Sequence, residues 1–215
     1  MTFPIDAILT GKAQIFGTKG EKSAIAKSPT DAPCRVGFLG LDGDEQGDLS
    51  VHGGPDKAIH HYPRDHYPFW VETLGTHPLL AEAGAFGENI STHGLTESAA
   101  CIGDRYRLGS ALVEISQGRQ PCWKLGYRFG IASVPAMVVK SRRSGWYYRV
   151  LEEGMVAPGD RLELIERPQP EWSVERVFML LIGGTGKLEP EALRALAAME
   201  GLAGNWRARA EKLLD

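Results

Sequence analysis

Between Ile102 and Ile115 the chain reads IGDRYRLGSALVEI, with apolar and polar residues alternating on both sides of Gly109-Ser110. Period-two alternation puts one set of side chains on one face of a strand, and a Gly-Ser pair between two such runs is a hairpin signal. A related phrase, Gly159-Asp160-Arg161-Leu162-Glu163-Leu164, returns later, so Gly-Asp twice turns the chain into a strand. Short apolar runs at Ala7–Leu9, Gln14–Phe16, Ala24–Ala26, Val36–Leu39 and Trp146–Leu151 are separated by Gly, Pro and charged residues. Runs this short and this evenly punctuated predict a β-meander or barrel.

Helical stretches are fewer. Pro63–Leu74 predicts a short helix opened by proline, with Phe69, Trp70 and Leu74 facing a core, and Ser133–Arg143 predicts another. After Arg167-Pro168-Gln169-Pro170 the composition shifts, and three helices are expected: one from Val174 to Ile182 capped by Ser173, one from Pro190 to Met199, and one after Gly204-Asn205 to Leu214. The expected organisation is a mainly β domain over residues 1–167 and a small three-helix domain over 168–215 with an apolar cluster of its own. Gly183-Gly184-Thr185-Gly186-Lys187 follows a helix and lacks phosphate-loop spacing, so it reads as a helix–helix connector.

With 215 residues the chain is long enough to bury a core without metal or disulfide staples. A net charge of −3 and a pI near 6.1 provide no basic field, which argues against nucleic acid and anionic membrane as main partners. Three cysteines cannot all pair, no CxxC occurs, and the start lacks a signal-peptide pattern, so a reducing cytoplasm is expected.

Candidate chemistry concentrates in a few places. Arg119-Gln120-Pro121-Cys122-Trp123-Lys124 leaves a hairpin strand and presents one thiol beside two cations. Positive charge favours thiolate, which serves as a nucleophile or a soft-metal ligand; the same cysteine could also be a small packing residue. Lys22, Ser23 and Lys27 could meet an anion. Asp42-Gly43-Asp44 resembles the opening of a calcium loop, but Gln46 and Gly53 occupy positions where ligands are needed. His52, His60, His61 and His66 match no zinc spacing. Gly53-Gly54-Pro55 is better suited to bring backbone N–H groups and His52 to a ligand before the chain re-enters a strand over Lys57–Tyr62. Asn89, following Gly87-Glu88, is either a turn residue or an amide aimed at a ligand.

Taken together, GLDGDEQGDLSVHGGPDKAIHHYP, FGENIST followed by GLTE, IGD and the R-x-P-C-x-K-L phrase resemble the MOSC family, named for the molybdenum cofactor sulfurase C-terminal domain. The resemblance spans about residues 1–167. The trailing helices are similar to the small C-terminal domain of the bacterial, YiiM-like branch known for 6-N-hydroxylaminopurine resistance. It implies a closed β-barrel with a few peripheral helices and a molybdenum–pterin (molybdopterin) cofactor whose protein thiolate ligand is Cys122. It also implies cofactor contacts from Arg119 and Asn89, and, in a second tier, from Lys27, Arg35, His52, Lys57 and His60.

The activity implied is reduction of small N-hydroxylated compounds, hydroxylaminopurine-type bases included. The sequence holds no GxGxxG after a strand, no iron–sulfur spacing and no CxxCH, so the electrons are expected from an external flavin or NAD(P)H reductase. Two alternatives remain open at this point: a persulfide carrier acting through Cys122, and a non-catalytic module that stores or delivers the cofactor.

Overall fold

The computed structural model describes residues 1–18, 20–47 and 53–215. Seven strands close into a barrel: β1 (Thr2–Thr10), β2 (Ile59–His61), β3 (Ile90–Thr92), β4 (Arg105–Leu108), β5 (Ala111–Gly118), β6 (Trp146–Glu152) and β7 (Arg161–Glu166). Around the barrel the order is β7-β4-β5-β6-β2-β3-β1, and β1 returns to β7 through Thr2 opposite Glu163 and Pro4 opposite Arg161. β2 and β3 run parallel, and the other neighbours are antiparallel. Closure leaves no barrel edge exposed to a second chain.

The alternation that predicts the hairpin also selects the interior. Tyr106 and Leu108, Val113 and Ile115, Trp146, Tyr148 and Val150, and Leu162 are buried in one apolar cluster. Around the barrel lie α1 (Tyr67–Leu74), α2 (Trp123–Phe129), α3 (Val134–Ser141), α4 (Val174–Leu181), α5 (Pro190–Ala198) and α6 (Gly204–Leu214). Tyr62, Tyr67, Trp70, Phe86, Leu125, Phe129, Val134 and Val138 make a second cluster beneath the first three helices, with the Tyr62 and Phe86 rings stacked at 4.1 Å. Among the described residues no helix is long and apolar enough to cross a membrane.

The helices beyond Pro170 form at the expected places but not around a cluster of their own. Val174, Val177, Phe178, Leu181, Leu196 and Trp206 belong to the barrel's cluster. The physical reason is Gly118 at the end of β5: a Cβ there would lie 2.9 Å from the Trp206 ring, 3.4 Å from Phe178 and 3.5 Å from Val174, so the bare backbone is what the helices pack on. Backbone hydrogen bonds complete the seam, with Val174 N–H donating to Ala100 O at 2.8 Å and Ala203 N–H to Ser116 O at 2.9 Å. Gly183–Lys187 lies between α4 and α5 and runs into the single turn Gly186–Leu188.

Two local expectations change. Ala24–Ala26 is not a strand; regular pairing stops at Ser23, and Gly11 and Gly87 crowd against Ala26 O and Ile25, where their Cβ atoms would stand at 2.7 Å. The strand expected over Lys57–Tyr62 is shorter, Ile59–His61, because Pro55–Lys57 closes a single turn before it.

Candidate functional site

β5 delivers the central thiol. Past Gly118 the strand pairing is extended by one bond, Arg119 N–H to Gly145 O at 3.0 Å, and the chain then turns at Pro121. Cys122 is extended, half-buried, and immediately precedes α2. Cys34 and Cys101 are different: their thiols donate to Asp42 O at 3.1 Å and Pro170 O at 3.5 Å, and burial, then a neighbouring aspartate, pushes both pKa values up. They are packed thiols. Cys122 opens onto a cavity of about 100 Å³ that it shares with Lys27, Asp44, Lys57, His60, Asn89, Arg119, Lys124 and Tyr147.

The cavity wall is held by residues whose hydrogen-bonding capacity is used within the protein. Asn89 Oδ1 accepts from the His60 N–H at 3.0 Å, while its Nδ2 donates to Leu9 O at 3.1 Å and to Asp44 Oδ2 at 2.9 Å. Both of its donors are spent, so Asn89 ties β1, β2 and the Asp44 turn together. Asp44 Oδ1 accepts from the Gly11 N–H at 2.8 Å and forms a buried ion pair with Lys27. Burial holds the Lys27 pKa below its ordinary value although Asp44 opposes the shift. The adjacent Glu88 accepts from Tyr67 Oη at 2.6 Å, Gly84 N–H at 2.7 Å and Phe86 N–H at 3.0 Å, which fixes the Gly87 corner.

His60 is 4% exposed, and its Nε2 has no hydrogen-bond partner among the described residues. Burial, and then the Arg119 charge, pushes its pKa well below the usual range, so it is neutral near pH 7. Its ring lies 5.1 Å from that of Tyr147, and the Tyr147 phenol in turn touches Arg119, which opposes the upward push of burial on that phenol. Lys57 is half-buried and its pKa is lowered by desolvation. Lys124 lies at the opposite side and donates to Lys22 O at 2.8 Å.

The structure therefore brings together Cys122, Arg119, Asn89, Lys27, Lys57 and His60. Arg35 does not line this cavity: it is exposed on the far side of Asp42 and pairs with Glu153 at 2.9 Å. Its strand alternation explains the displacement, since Cys34 and Val36 take the inward positions and leave Arg35 outward. His52 lies outside the described residues. Asp44 and Tyr147 line the cavity without having been singled out for it, and Lys124 is there as the second cation expected beside the thiol. The Asp-rich stretch was a signal for Asp44, but calcium-loop spacing is the wrong test for a carboxylate that binds a lysine, an amide and a backbone N–H. Among the described residues no group of three His, Cys, Asp or Glu could hold a metal ion.

Residues 48–163 match the model of the MOSC domain. The chain is 45% identical over 167 residues to Protein YiiM of Escherichia coli, covering 78% of this chain and 74% of that protein. It is 42% identical over 156 residues to a protein of Gibberella moniliformis named "Reductase", covering 72% of this chain but only 28% of that one. The crystal structure of YiiM from Geobacillus stearothermophilus superimposes with a TM-score of 0.82 at 34% identity, over 97% of both chains. The closed barrel, the cavity at the exit of β5 and these likenesses together place the chain in the YiiM-like branch of the MOSC domain family.

Proposed function

We propose that the cavity binds a molybdenum–pterin cofactor through Cys122 and that the protein reduces small N-hydroxylated compounds, hydroxylaminopurine-type bases among them. The observation that carries this reading is the convergence of Cys122 with Arg119, Lys57, Lys124 and a neutral His60 in one cavity. The donor set suits such a group. A soft metal takes thiolate sulfur, a pterin brings further sulfur ligands with it and asks the protein for one, and its phosphate needs cations and hydrogen-bond donors. His60 Nε2, buried without a partner among the described residues, is a polar atom that a bound group would satisfy.

When bound, the group supplies two-electron redox chemistry. The chain's own residues would divide the remaining work. Cys122 would hold the metal; Arg119 and Lys57 would meet the group's anionic part; His60 would contact the pterin through Nε2. Asn89 and the Lys27–Asp44 pair keep the wall in shape and leave few contacts for the ligand. The family's name and the relative called "Reductase" support the redox reading. Electrons would come from a separate flavin or NAD(P)H reductase.

The test is metal analysis of protein purified from a host that makes the cofactor, followed by turnover of hydroxylaminopurine with NADPH alone and with a reductase or reduced viologen added. Stoichiometric molybdenum, pterin fluorescence and turnover only with the added donor support the proposal. Sulfane sulfur on Cys122 without molybdenum would instead indicate a sulfur carrier, and molybdenum without turnover a storage or delivery module.

A further inference from the structure

Next to Cys122 the surface carries aromatic rings that the cavity itself does not use. Trp123 is 47% exposed and Tyr127 52% exposed, on the first two turns of α2. Phe16 reaches them from the paired strands Gln14–Phe16 and Glu21–Ser23, with ring centroids 4.9 Å from Tyr127 and 6.4 Å from Trp123; Trp123 and Tyr127 are 6.2 Å apart. All these pairs are tilted or edge-on, so the rings fix one another's orientation while Trp123 and Tyr127 each keep about half of their surface open. Gly17, at φ +79°, lies so close to the indole that a Cβ would stand 2.8 Å from Trp123 Cη2. Lys124 clamps the same strand pair to α2 by donating to Lys22 O at 2.8 Å. The rings are therefore held from behind and open to solvent in front.

Their position is continuous with the candidate site. Trp123 follows Cys122 directly, and Ser23 and Lys124, which flank the aromatic group on its two elements, line the cavity. We propose that Phe16, Trp123 and Tyr127 form a stacking rim that receives the planar ring of an aromatic N-hydroxylated substrate and gives the protein a preference for aromatic over aliphatic substrates. This rests on the reductase reading above. Size favours a small flat ligand over a protein: two half-exposed aromatic side chains show roughly 200 Å² between them, whereas a stable protein interface takes about 800 Å² per partner. A π-face also suits any planar heterocycle, since stacking is tolerant of ring identity.

The experiment compares wild type, Trp123→Ala and Trp123→Phe as cofactor-loaded protein, with hydroxylaminopurine and hydroxyurea as substrates and reduced viologen as donor. Stacking of one base on an aromatic side chain is worth about 1–3 kcal/mol by alanine substitution, so the ratio of kcat/KM for the purine to that for hydroxyurea should fall about tenfold in Trp123→Ala. Trp123→Phe should retain most of that preference. A second readout is independent of turnover: adenine titrated into wild type should quench part of the tryptophan fluorescence, and that part should be missing in Trp123→Phe. If no variant turns over either substrate, the reductase reading fails while the quenching still decides the rim. Should Trp123→Ala fail to fold, Tyr127→Ala and Trp123→Phe carry the same comparison. An unchanged substrate ratio with unchanged quenching would reduce the rim to packing between α2 and its neighbouring strands. Slower turnover of both substrates alike with a protein reductase, but not with viologen, would make the surface a donor-docking patch; either result overturns the proposal.

Discussion

His60 and His61 are consecutive residues of β2, both buried, and the protein treats them in opposite ways. His61 faces the barrel interior, where Nδ1 pairs with Tyr148 Oη at 2.9 Å and Nε2 with Thr92 Oγ1 at 2.8 Å, while its ring lies 4.3 Å from Trp146. His60 faces the cavity, and its Nε2 has no partner among the described residues. The same division holds around them. Among the satisfied groups, Glu97 accepts from the Gly145 N–H at 2.6 Å and pairs with His66 at 2.6 Å. The cavity that His60 faces is also lined by Cys122, Arg119 and Lys57. A polar group satisfied inside the protein is part of the fold; a buried group left with capacity to bond marks where a ligand belongs.

The largest test of this division removes the C-terminal helices. A chain ending at Arg167 deletes Val174, Phe178 and Trp206 from the barrel's own cluster and exposes the surface around Gly118, so it should give insoluble or unfolded protein. A soluble, cooperatively melting barrel would show that the interior is complete without them. Next comes Asp44→Ala, which strips a buried partner from Lys27, Asn89 and the Gly11 N–H and should cost about 3–5 kcal/mol in urea unfolding. A loss under about 1 kcal/mol would mean that the wall does not depend on this carboxylate.

His61→Ala should cost about 2–4 kcal/mol, because it opens a cavity and leaves Tyr148 and Thr92 unpaired. Burial also pushes the His61 pKa down to about 3 from the ordinary 6.5. Between those values the unfolded chain binds a proton that the folded one refuses. Stability is therefore complete above about pH 6.5 and falls as the pH is lowered toward about 3, by up to about 1.4 kcal/mol per pH unit for this residue. His60 is shifted in the same direction and adds its own share. His61→Gln should flatten the acid limb by about one proton. An unchanged limb would contradict the neutral, buried state. The smallest stability effect is expected for His60→Ala, about 1–2 kcal/mol, since the ring already borders open space and loses only its packing and its bond to the Gly87 backbone. Its consequence should appear as lower cofactor retention in protein from the same host. A large loss of stability with retention unchanged would reverse the roles of the two histidines.

Much of this was legible in the chain. Period-two alternation around Gly109-Ser110 foretold β4, β5 and the inward set, and proline and serine caps located α4 and α5 because helix starts depend on local groups. Cys122 stood out because cations flank it in sequence. The packing of α4 and α6 on Gly118 was not legible, since a glycine at a strand end reads as a turn until the residues above it are known. The rest of the cavity depends on long-range pairing: Asn89 meets residues that are 29, 45 and 80 positions away, which no local pattern encodes. Arg35 could not be separated from the true lining because its side of the strand is set by pairing with Gly154–Val156.

The central claim is that Cys122 serves the cavity's ligand and not the core. The most direct measurement is Cys122→Ser prepared beside wild type, with molybdenum content read on protein from a host that makes the cofactor and melting temperature read on protein from a host that does not. Half-buried and nearly equal in volume, the serine should leave the melting temperature of the cofactor-free protein within about 2 °C, while molybdenum and hydroxylaminopurine turnover are lost from the protein of the cofactor-making host. A variant that keeps full molybdenum and turnover, or one that loses its fold instead, would contradict the account.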